Sequence, residues 1–204
     1  GHLVWGDGLY PLDDFIQVLN DNHYEGYLGQ EITDGELSEI TELIRPHAEA
    51  MEDHPTEFEL VSCIGFEYFL RKRCDIVVLE VGLGGELDST NVIPTPEAAV
   101  ITNIGLDHME VLGDTVEKIA AAKAGIIKDG GDVVLYRSQD SVEQVFEQRC
   151  KQVGAHLVKA DFGALHPITH GLEGQSFDCG QWKTLSLPLL GGHQLYNAAV
   201  VLTT

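Results

Sequence analysis

The sequence predicts an α/β fold with a mainly parallel sheet flanked by helices. Two apolar runs, at residues 75–80 and 98–103, are short and rich in branched side chains, as is typical of strands buried on both faces of a parallel sheet. Helical spacing of apolar residues precedes and follows these runs. Strands that alternate with helices in this way indicate a parallel α/β arrangement.

Two helices are predicted before the first strand. From residue 33, TDGELSEITELIRPHAEAME has helical spacing, Thr33 or Asp34 can cap it, and Pro46 should kink or end it. The segment EFELVSCIGFEYFLRKR has the same spacing, and its apolar side chains are expected to bury against the sheet. These side chains are Phe58, Val61, Ile64, Phe69 and Leu70.

The alternation continues through the second half of the chain. Asp114 is expected to cap a helix that ends near Gly125, with Glu117 completing a capping box. A strand at 132–136, a helix at 141–153 and a strand at 156–159 follow. Residues 161–190 predict irregular structure with a possible β-hairpin, and GGHQLYNAAV predicts a glycine turn that begins a last helix.

Composition favours one substantial core and excludes several functions. The 204 residues carry a formal net charge of −21, which repels nucleic-acid phosphates and anionic lipids, so neither is an expected partner. There is no apolar stretch of about eighteen residues that would span a membrane. The four cysteines form no C-x-x-C pair, so neither a zinc site nor a redox motif is predicted. A cytoplasmic protein with reduced thiols is expected.

Glu80 ends one predicted parallel strand, and His108 lies just past the end of the next. Ligands of such sheets bind beyond the carboxyl ends of the strands, where a carboxylate and an imidazole can hold a divalent cation. Each residue alone is more often an ordinary surface or hydrogen-bonded residue than a metal ligand, and composition leaves both interpretations open. Lys123, in IAAAKAGIIK, either offsets a helix dipole or takes up carbon dioxide as a neutral amine to form a carbamate.

The turn Gly82-Leu83-Gly84-Gly85 permits close approach of a ligand or a second backbone. Its amides can hold an anion. It lacks G-x-G-x-x-G spacing, which gives a dinucleotide site little support, and no lysine follows a glycine, so there is no Walker A motif.

Together these segments resemble the folylpolyglutamate synthase and dihydrofolate synthase family of the Mur ligase superfamily. The resemblance rests on PTEFE, DIVVLEVGLGGELDSTNVI, ITNIGLDHMEVLGDTVEKIAAAKAGIIK and GGHQLYNAAV, at residues 55–59, 75–93, 101–128 and 191–200. It implies a Mur-ligase-like central, ATP-binding domain over residues 33–204. Residues 1–32 mix Gly, Asp, Asn and aromatics without a sustained period, which predicts an irregular segment with one short helix near 12–19.

The resemblance implies a ligase that uses ATP and magnesium to add L-glutamate to a folate or dihydropteroate carboxylate through an acyl phosphate. By motif position, the implied magnesium ligands are Glu80, His108 and Lys123 as its carbamate, and His108 and Lys123 are expected to serve catalysis. The implied substrate contacts are Asp88 and Thr90 at the pterin ring and His193, Gln194 and Asn197 at the adenine of ATP.

The sequence departs from the family pattern in several places. The phosphate loop G-T-N-G-K-[GS]-[ST] and the stretch T-S-P-H-L are missing, Glu86 stands where arginine is common, and no C-terminal domain is covered. The chain alone is therefore expected to be inactive, and the missing loop is compatible with truncation or with degeneration. A non-catalytic or remodelled Mur-ligase-like binding module and another Mur-type amino-acid ligase stay open as alternatives.

Overall fold

The computed structural model describes residues 32–204. They divide between two compact units, a first that ends at Glu52 and a second that spans Asp53–Thr204. The helix predicted near 12–19, and all of the irregular segment up to residue 31, lie outside the described residues. None of the helices in the described range is long and apolar enough to cross a membrane.

The first unit contributes helix α1 (Asp34–Glu49), which begins where the sequence predicts. Thr33 and Glu36 form a capping box: Thr33 Oγ1 accepts the amide of Glu36, and the Glu36 carboxylate accepts the amide of Thr33. Pro46 lies inside the helix, which continues to Glu49. Pro46 therefore does not end the helix, because near the last turn its missing N–H removes only one hydrogen bond.

Helix α2 (Glu57–Lys72) opens the second unit with a capping box between Thr56 and Glu59. The expectation that its apolar side chains bury against the sheet is wrong. Tyr68 is the only buried residue of the helix, and Phe58, Val61 and Leu70 are exposed. The helix instead contacts the turn that follows residue 80, through the hydroxyls of Ser62 and Ser89, 2.6 Å apart.

Residues 75–80 do not form the strand that their apolar run predicts. They pair with no strand of the described chain, and Ile76 and Val78 are 85% and 91% exposed. Apolar, branched residues favour a strand only where a neighbouring strand takes up their backbone N–H and C=O groups. Residues 32–204 contain no strand that pairs with this segment.

The remaining predicted strands form a parallel sheet and confirm the α/β class. Strands β1 (Ala99–Ile101), β2 (Asp132–Leu135) and β3 (His156–Lys159) lie in the order β1-β2-β3, and both pairs are parallel. Helices α3 (Met109–Leu112), α4 (Val116–Lys123) and α5 (Asp140–Val153) connect them. The core between sheet and helices includes Ile101, Ile119, Ile127, Val133, Leu135 and Phe146.

The predicted capping box of α4 is wrong by one residue. Thr115 is the cap, and its hydroxyl accepts the amide of Lys118. Asp114 instead accepts a hydrogen bond from the Lys118 ammonium at 2.8 Å. Glu117 accepts one from the hydroxyl of Ser141 at the start of α5. A threonine with extended backbone can also satisfy the amide of the first turn.

An antiparallel sheet and a last helix complete the fold. Strands β4 (Leu165–Gly171), β5 (Gly174–Cys179) and β6 (Trp182–Leu187) pair in sequence order, so the segment holds one strand more than the predicted hairpin. Helix α6 (Gly192–Thr203) begins where the glycine turn predicts. Its buried face packs on this sheet through Leu195, Ala199, Phe177 and Cys179.

Candidate functional site

The glycine-rich turn that follows Glu80 is organised by Asp88. Its carboxylate accepts the amide of Leu83 at 2.8 Å and the amide and hydroxyl of Thr90 at 2.9 and 2.6 Å. Burial is the largest single influence and raises the pKa of Asp88. The hydrogen bonds from Thr90, Leu83 and Gly82 outweigh it, so this pKa lies below its ordinary value. Asp88 is thus an ionised, buried carboxylate that fixes the turn.

The turn lies directly on the end of α4. The amide of Glu86 donates to the carbonyl of Ala122 at 3.2 Å. A Cβ added to Gly85 would lie 2.9 Å from the carbonyl oxygen of Lys123, and one added to Gly125 would lie 2.3 Å from Cβ of Glu86. Two glycines therefore allow a contact between backbones that larger residues would prevent.

Asn91 ties the far end of the turn to the same helix end. Its side-chain amide donates to the carbonyls of Glu86 and Gly125, each at 3.2 Å. Its own carbonyl accepts from the ammonium of Lys128 at 3.4 Å. The turn is consequently held at both ends beside the backbone of α4.

His108 lies at the start of α3 in a left-handed backbone conformation, with φ of 49°. Its amide donates to Asp107 at 2.8 Å, and its exposed imidazole Nε2 lies 3.7 Å from the other oxygen of that carboxylate. Leu112, at the end of α3, contacts the turn. A Cβ added to Gly84 would lie 3.0 Å from Cδ2 of Leu112 and 3.9 Å from Cβ of Ala122. Gly84 therefore lies between the helix that follows His108 and helix α4.

The three predicted magnesium ligands are available for binding but are not a complete set as unmodified side chains. Within the described range, Glu80 and Lys123 make no side-chain hydrogen bond or ion pair, and His108 has only Asp107 beside its ring. No three His, Cys, Asp or Glu side chains of residues 32–204 converge as a metal site. A carboxylate and an imidazole suit a divalent cation, whereas an ammonium group does not. The set fits magnesium only if Lys123 carries an added carboxylate, and its role stays a prediction.

A cavity of about 390 Å³ opens beside the turn, between the start of α2 and helices α3 and α4. Its apolar lining includes Phe58, Leu83, Val111 and Leu112, and its acidic residues are Glu59, Glu86 and Asp88. The volume suits a small molecule. No lysine, arginine or histidine of the described chain lines it, so the cavity favours a neutral ring that carries hydrogen-bond donors over an anion.

Phe58 is the cavity residue whose role the sequence did not predict. A Cβ on Gly82 would lie 2.5 Å from its ring, so the ring covers the backbone at the start of the turn. The motif PTEFE contains Phe58 and supported the family resemblance, but helical spacing assigned this side chain to a sheet-facing surface. Only the packing of the turn on α2 shows that it faces the cavity.

The start of α6 brings together the residues predicted to contact adenine. Gly191 has a φ of 98°, and the ring of His193 lies against it, exposed. Asn197 donates to the side-chain oxygen of Gln194 at 3.1 Å. These two amides line a groove of about 300 Å³ whose other residues are mainly apolar, including Leu187. The adenine contacts themselves stay predictions, as do the pterin contacts of Asp88 and Thr90.

Gln175 of β5, which sequence reasoning missed, holds this helix start in place. It is buried, and its side-chain amide donates to the carbonyls of Leu189 and Gly191 at 2.7 and 3.0 Å. A glutamine on a strand has no sequence signal for such a role. Buried amides are retained where they satisfy backbone groups that would otherwise lack partners.

Comparisons with known proteins agree with this architecture. The family model described as the Mur ligase middle domain matches residues 36–204. The dihydrofolate synthase/folylpolyglutamate synthase of Bacillus subtilis is 35% identical over 198 residues, which cover 90% of this chain and 45% of that protein. The chain thus spans about half the length of this curated relative.

Solved structures show the same likeness. The complex of folylpolyglutamate synthase with AMPPCP superposes with a TM-score of 0.77 at 30% identity, over 85% of this chain and 45% of that one. The complex with AMPPCP and folate gives a TM-score of 0.69 at 31% identity, over 81% and 41%. The predicted fold class and family resemblance are confirmed, and the chain belongs to the Mur ligase middle domain family.

Proposed function

We propose that this chain is the central portion of a ligase that uses ATP and magnesium to add L-glutamate to a folate or dihydropteroate carboxylate through an acyl phosphate. The names of the relative and of the solved complexes support this proposal. The observation that carries it is the cavity beside residues 82–91. That turn lies against the helix end that bears Lys123 and against the helix that follows His108.

The cavity suits the pterin end of the substrate. Phe58 and Leu83 offer apolar surface to a flat ring, and Asp88 offers negative charge. Thr90 orients the carboxylate of Asp88 by donating from its amide and its hydroxyl. A ring N–H of the pterin would share the acceptor oxygens of this carboxylate.

Glu80, His108 and the carbamate of Lys123 would hold magnesium, which supplies charge neutralisation at the transferred phosphoryl group. A cation is needed because a chain of net charge −21 repels the ATP anion. Lys123 ends α4, where an ammonium complements the helix dipole and an anionic carbamate opposes it. Carbamylation is therefore expected to be coupled to cation binding.

Isothermal titration with dihydropteroate tests the pterin site. Wild-type protein is expected to bind dihydropteroate, and Phe58→Ala and Asp88→Asn should bind it at least about tenfold more weakly. The control Leu172→Ala changes a 92% exposed side chain outside the cavity and should bind as wild type does. No binding by folded wild-type protein would overturn the proposal. Binding of a nucleotide-sugar precursor instead would support another Mur-type ligase.

The ligase reaction is assayed by ATP-dependent transfer of labelled L-glutamate to dihydropteroate and tetrahydrofolate. The chain alone is expected to show negligible turnover because its sequence contains no phosphate-loop motif. Robust turnover would contradict that expectation. Calorimetry with magnesium and ATP completes the test: no binding, together with unmodified Lys123 in the intact mass, would favour a non-catalytic module.

A further inference from the structure

Glu86 is held on the wall of the cavity by its backbone. Its amide donates to the carbonyl of Ala122, and its carbonyl accepts from the side-chain amide of Asn91, each at 3.2 Å. Its Cβ and Cα lie against Gly125, where an added Cβ would come within 2.3 and 2.4 Å of them. The side chain therefore starts from a fixed point beside the end of α4, in a residue that lines the cavity.

The three acids of the cavity differ in what their carboxylates already bind. Asp88 accepts from the turn, as described above, and Glu59 accepts from the amide and the hydroxyl of Thr56, both at 2.7 Å. Within residues 32–204, the Glu86 carboxylate has no hydrogen-bond or ion-pair partner, and the residue is exposed. No lysine, arginine or histidine of the described chain lines the cavity to offset it. Glu86 thus presents an uncompensated negative charge to a ligand that enters.

The reacting end of the proposed substrate has to come close to this charge. Lys123, a proposed magnesium ligand, ends α4, and a Cβ added to Gly85, the residue before Glu86, would lie 2.9 Å from its carbonyl oxygen. The substrate carboxylate that forms the acyl phosphate must reach the magnesium at this helix end. With the pterin ring in the cavity, the carboxylate end of the substrate therefore lies near Glu86.

The candidate substrates differ in charge at that end. Dihydropteroate carries a single carboxylate, which is the one that reacts and that magnesium would neutralise. Dihydrofolate has the same ring but ends in glutamate, and one of its two carboxylates does not react and stays negatively charged. Two like charges about 10 Å apart near a protein surface repel each other enough to change an affinity several-fold.

We propose that Glu86 makes this chain select dihydropteroate, the substrate without glutamate, over folates that already carry glutamate. This inference rests on the proposed function, since it names the substrate that the same cavity prefers. It also gives a role to a glutamate that stands where arginine is common. An arginine there would attract the additional carboxylate, whereas Glu86 repels it, and an uncompensated like charge is a means of rejecting the wrong ligand.

Paired calorimetric titrations with dihydropteroate and dihydrofolate, made without nucleotide or magnesium, test this selection. Wild type is expected to bind dihydropteroate on the order of fivefold more tightly than dihydrofolate. Glu86→Gln should lower that ratio to less than about twofold, and Glu86→Arg should reverse the preference. The control Glu173→Gln removes the same charge from the exposed turn between β4 and β5 and should keep the wild-type ratio.

Salt gives a second measurement that needs no variant. The Debye length falls from about 10 Å at 0.1 M salt to about 3 Å at 1 M, so the two affinities of wild type should become nearly equal at high salt. Equal affinities at low salt, a ratio that does not change with salt, or an unchanged ratio in Glu86→Gln would overturn the inference. Dihydropteroate binding without selection refutes only the role of Glu86, whereas a folded wild type that binds neither ligand refutes the proposed function and the inference with it.

Discussion

Replacing Glu143 by glutamine should destabilise the fold at neutral pH and progressively less as the pH falls towards 2. Glu143, on α5, has a side chain only 4% exposed. Its carboxylate accepts from Arg137 at 2.8 Å, from the amide of Ser138 at 2.9 Å and from Lys159 at 2.6 Å. These donors hold the loop after β2 and the end of β3 together at the carboxyl edge of the sheet.

The size of the effect follows from the pKa of Glu143. Burial is its largest influence and raises the pKa, but the hydrogen bonds from Lys159, Ser138 and Arg137 outweigh it and lower the pKa to about 2 from an ordinary 4.5. At about 1.4 kcal/mol per pKa unit, the ionised carboxylate contributes on the order of 3 kcal/mol to the free energy of unfolding. Because the folded-state pKa is depressed, this contribution is present above pH 4.5 and is lost as the pH falls towards 2.

The free energy of unfolding is measured by urea titration followed by circular dichroism, at a series of pH values between neutral and about 2.5. Glu143→Gln should lose about 3 kcal/mol at neutral pH, and its difference from wild type should shrink in acid. The control is Glu147→Gln, since Glu147 is exposed and bonds only Lys159 among the described residues, so it should lose less than about 1 kcal/mol. A Glu143→Gln difference below about 0.5 kcal/mol, or one that does not change with pH, would refute the reasoning.

Three further predictions concern the two halves of the site. Gly125→Ala places a Cβ 2.3 Å from Cβ of Glu86 and should lower the free energy of unfolding in urea by about 1–3 kcal/mol, whereas Gly171→Ala, with no atom within 4 Å, should not. Gln175→Leu leaves two backbone carbonyls without their donor, so the free energy of unfolding in urea should fall by about 1–3 kcal/mol. Adenosine binding, measured by calorimetry, should weaken as well, and an unchanged stability together with unchanged binding would contradict the anchoring role of Gln175. Thr56→Ala removes the α2 cap and should lower stability by about 1 kcal/mol in the same urea assay, and an unchanged midpoint would contradict it.

Local patterns predicted the parallel sheet where strand partners exist within the described chain. The segments at 132–136 and 156–159 supply β2 and β3, which pair with each other. The run at 75–80 is more uniformly apolar than 156–159, yet it pairs with no described strand, and Ile76 and Val78 are exposed. An apolar, branched sequence indicates that a segment favours a sheet. Whether the strand forms depends on a neighbouring strand that can take up its backbone hydrogen bonds.

The sequence singled out two residues of the turn beside the cavity but did not predict how the turn packs. The motif LDST pointed to Asp88 and Thr90, which do meet in one hydrogen-bonded turn. The cavity beside them depends on Phe58, whose helical spacing favoured a different surface. Gln175 gave no signal, because its role requires the carbonyl of Gly191 from a later segment. Contacts between distant segments decide such roles, and no local pattern encodes them.

The most direct test of the account maps dihydropteroate onto the chain by amide chemical shifts in ¹⁵N-labelled protein. The account predicts saturable shifts at the amides of the turn, from Leu83 to Ser89, and at Leu112 and Ala122, which line the same cavity. Amides of β4, outside the cavity, should not move. Binding that leaves the turn unperturbed and shifts the antiparallel sheet, or no saturable shift at all, would contradict the assignment of this cavity to the pterin ring.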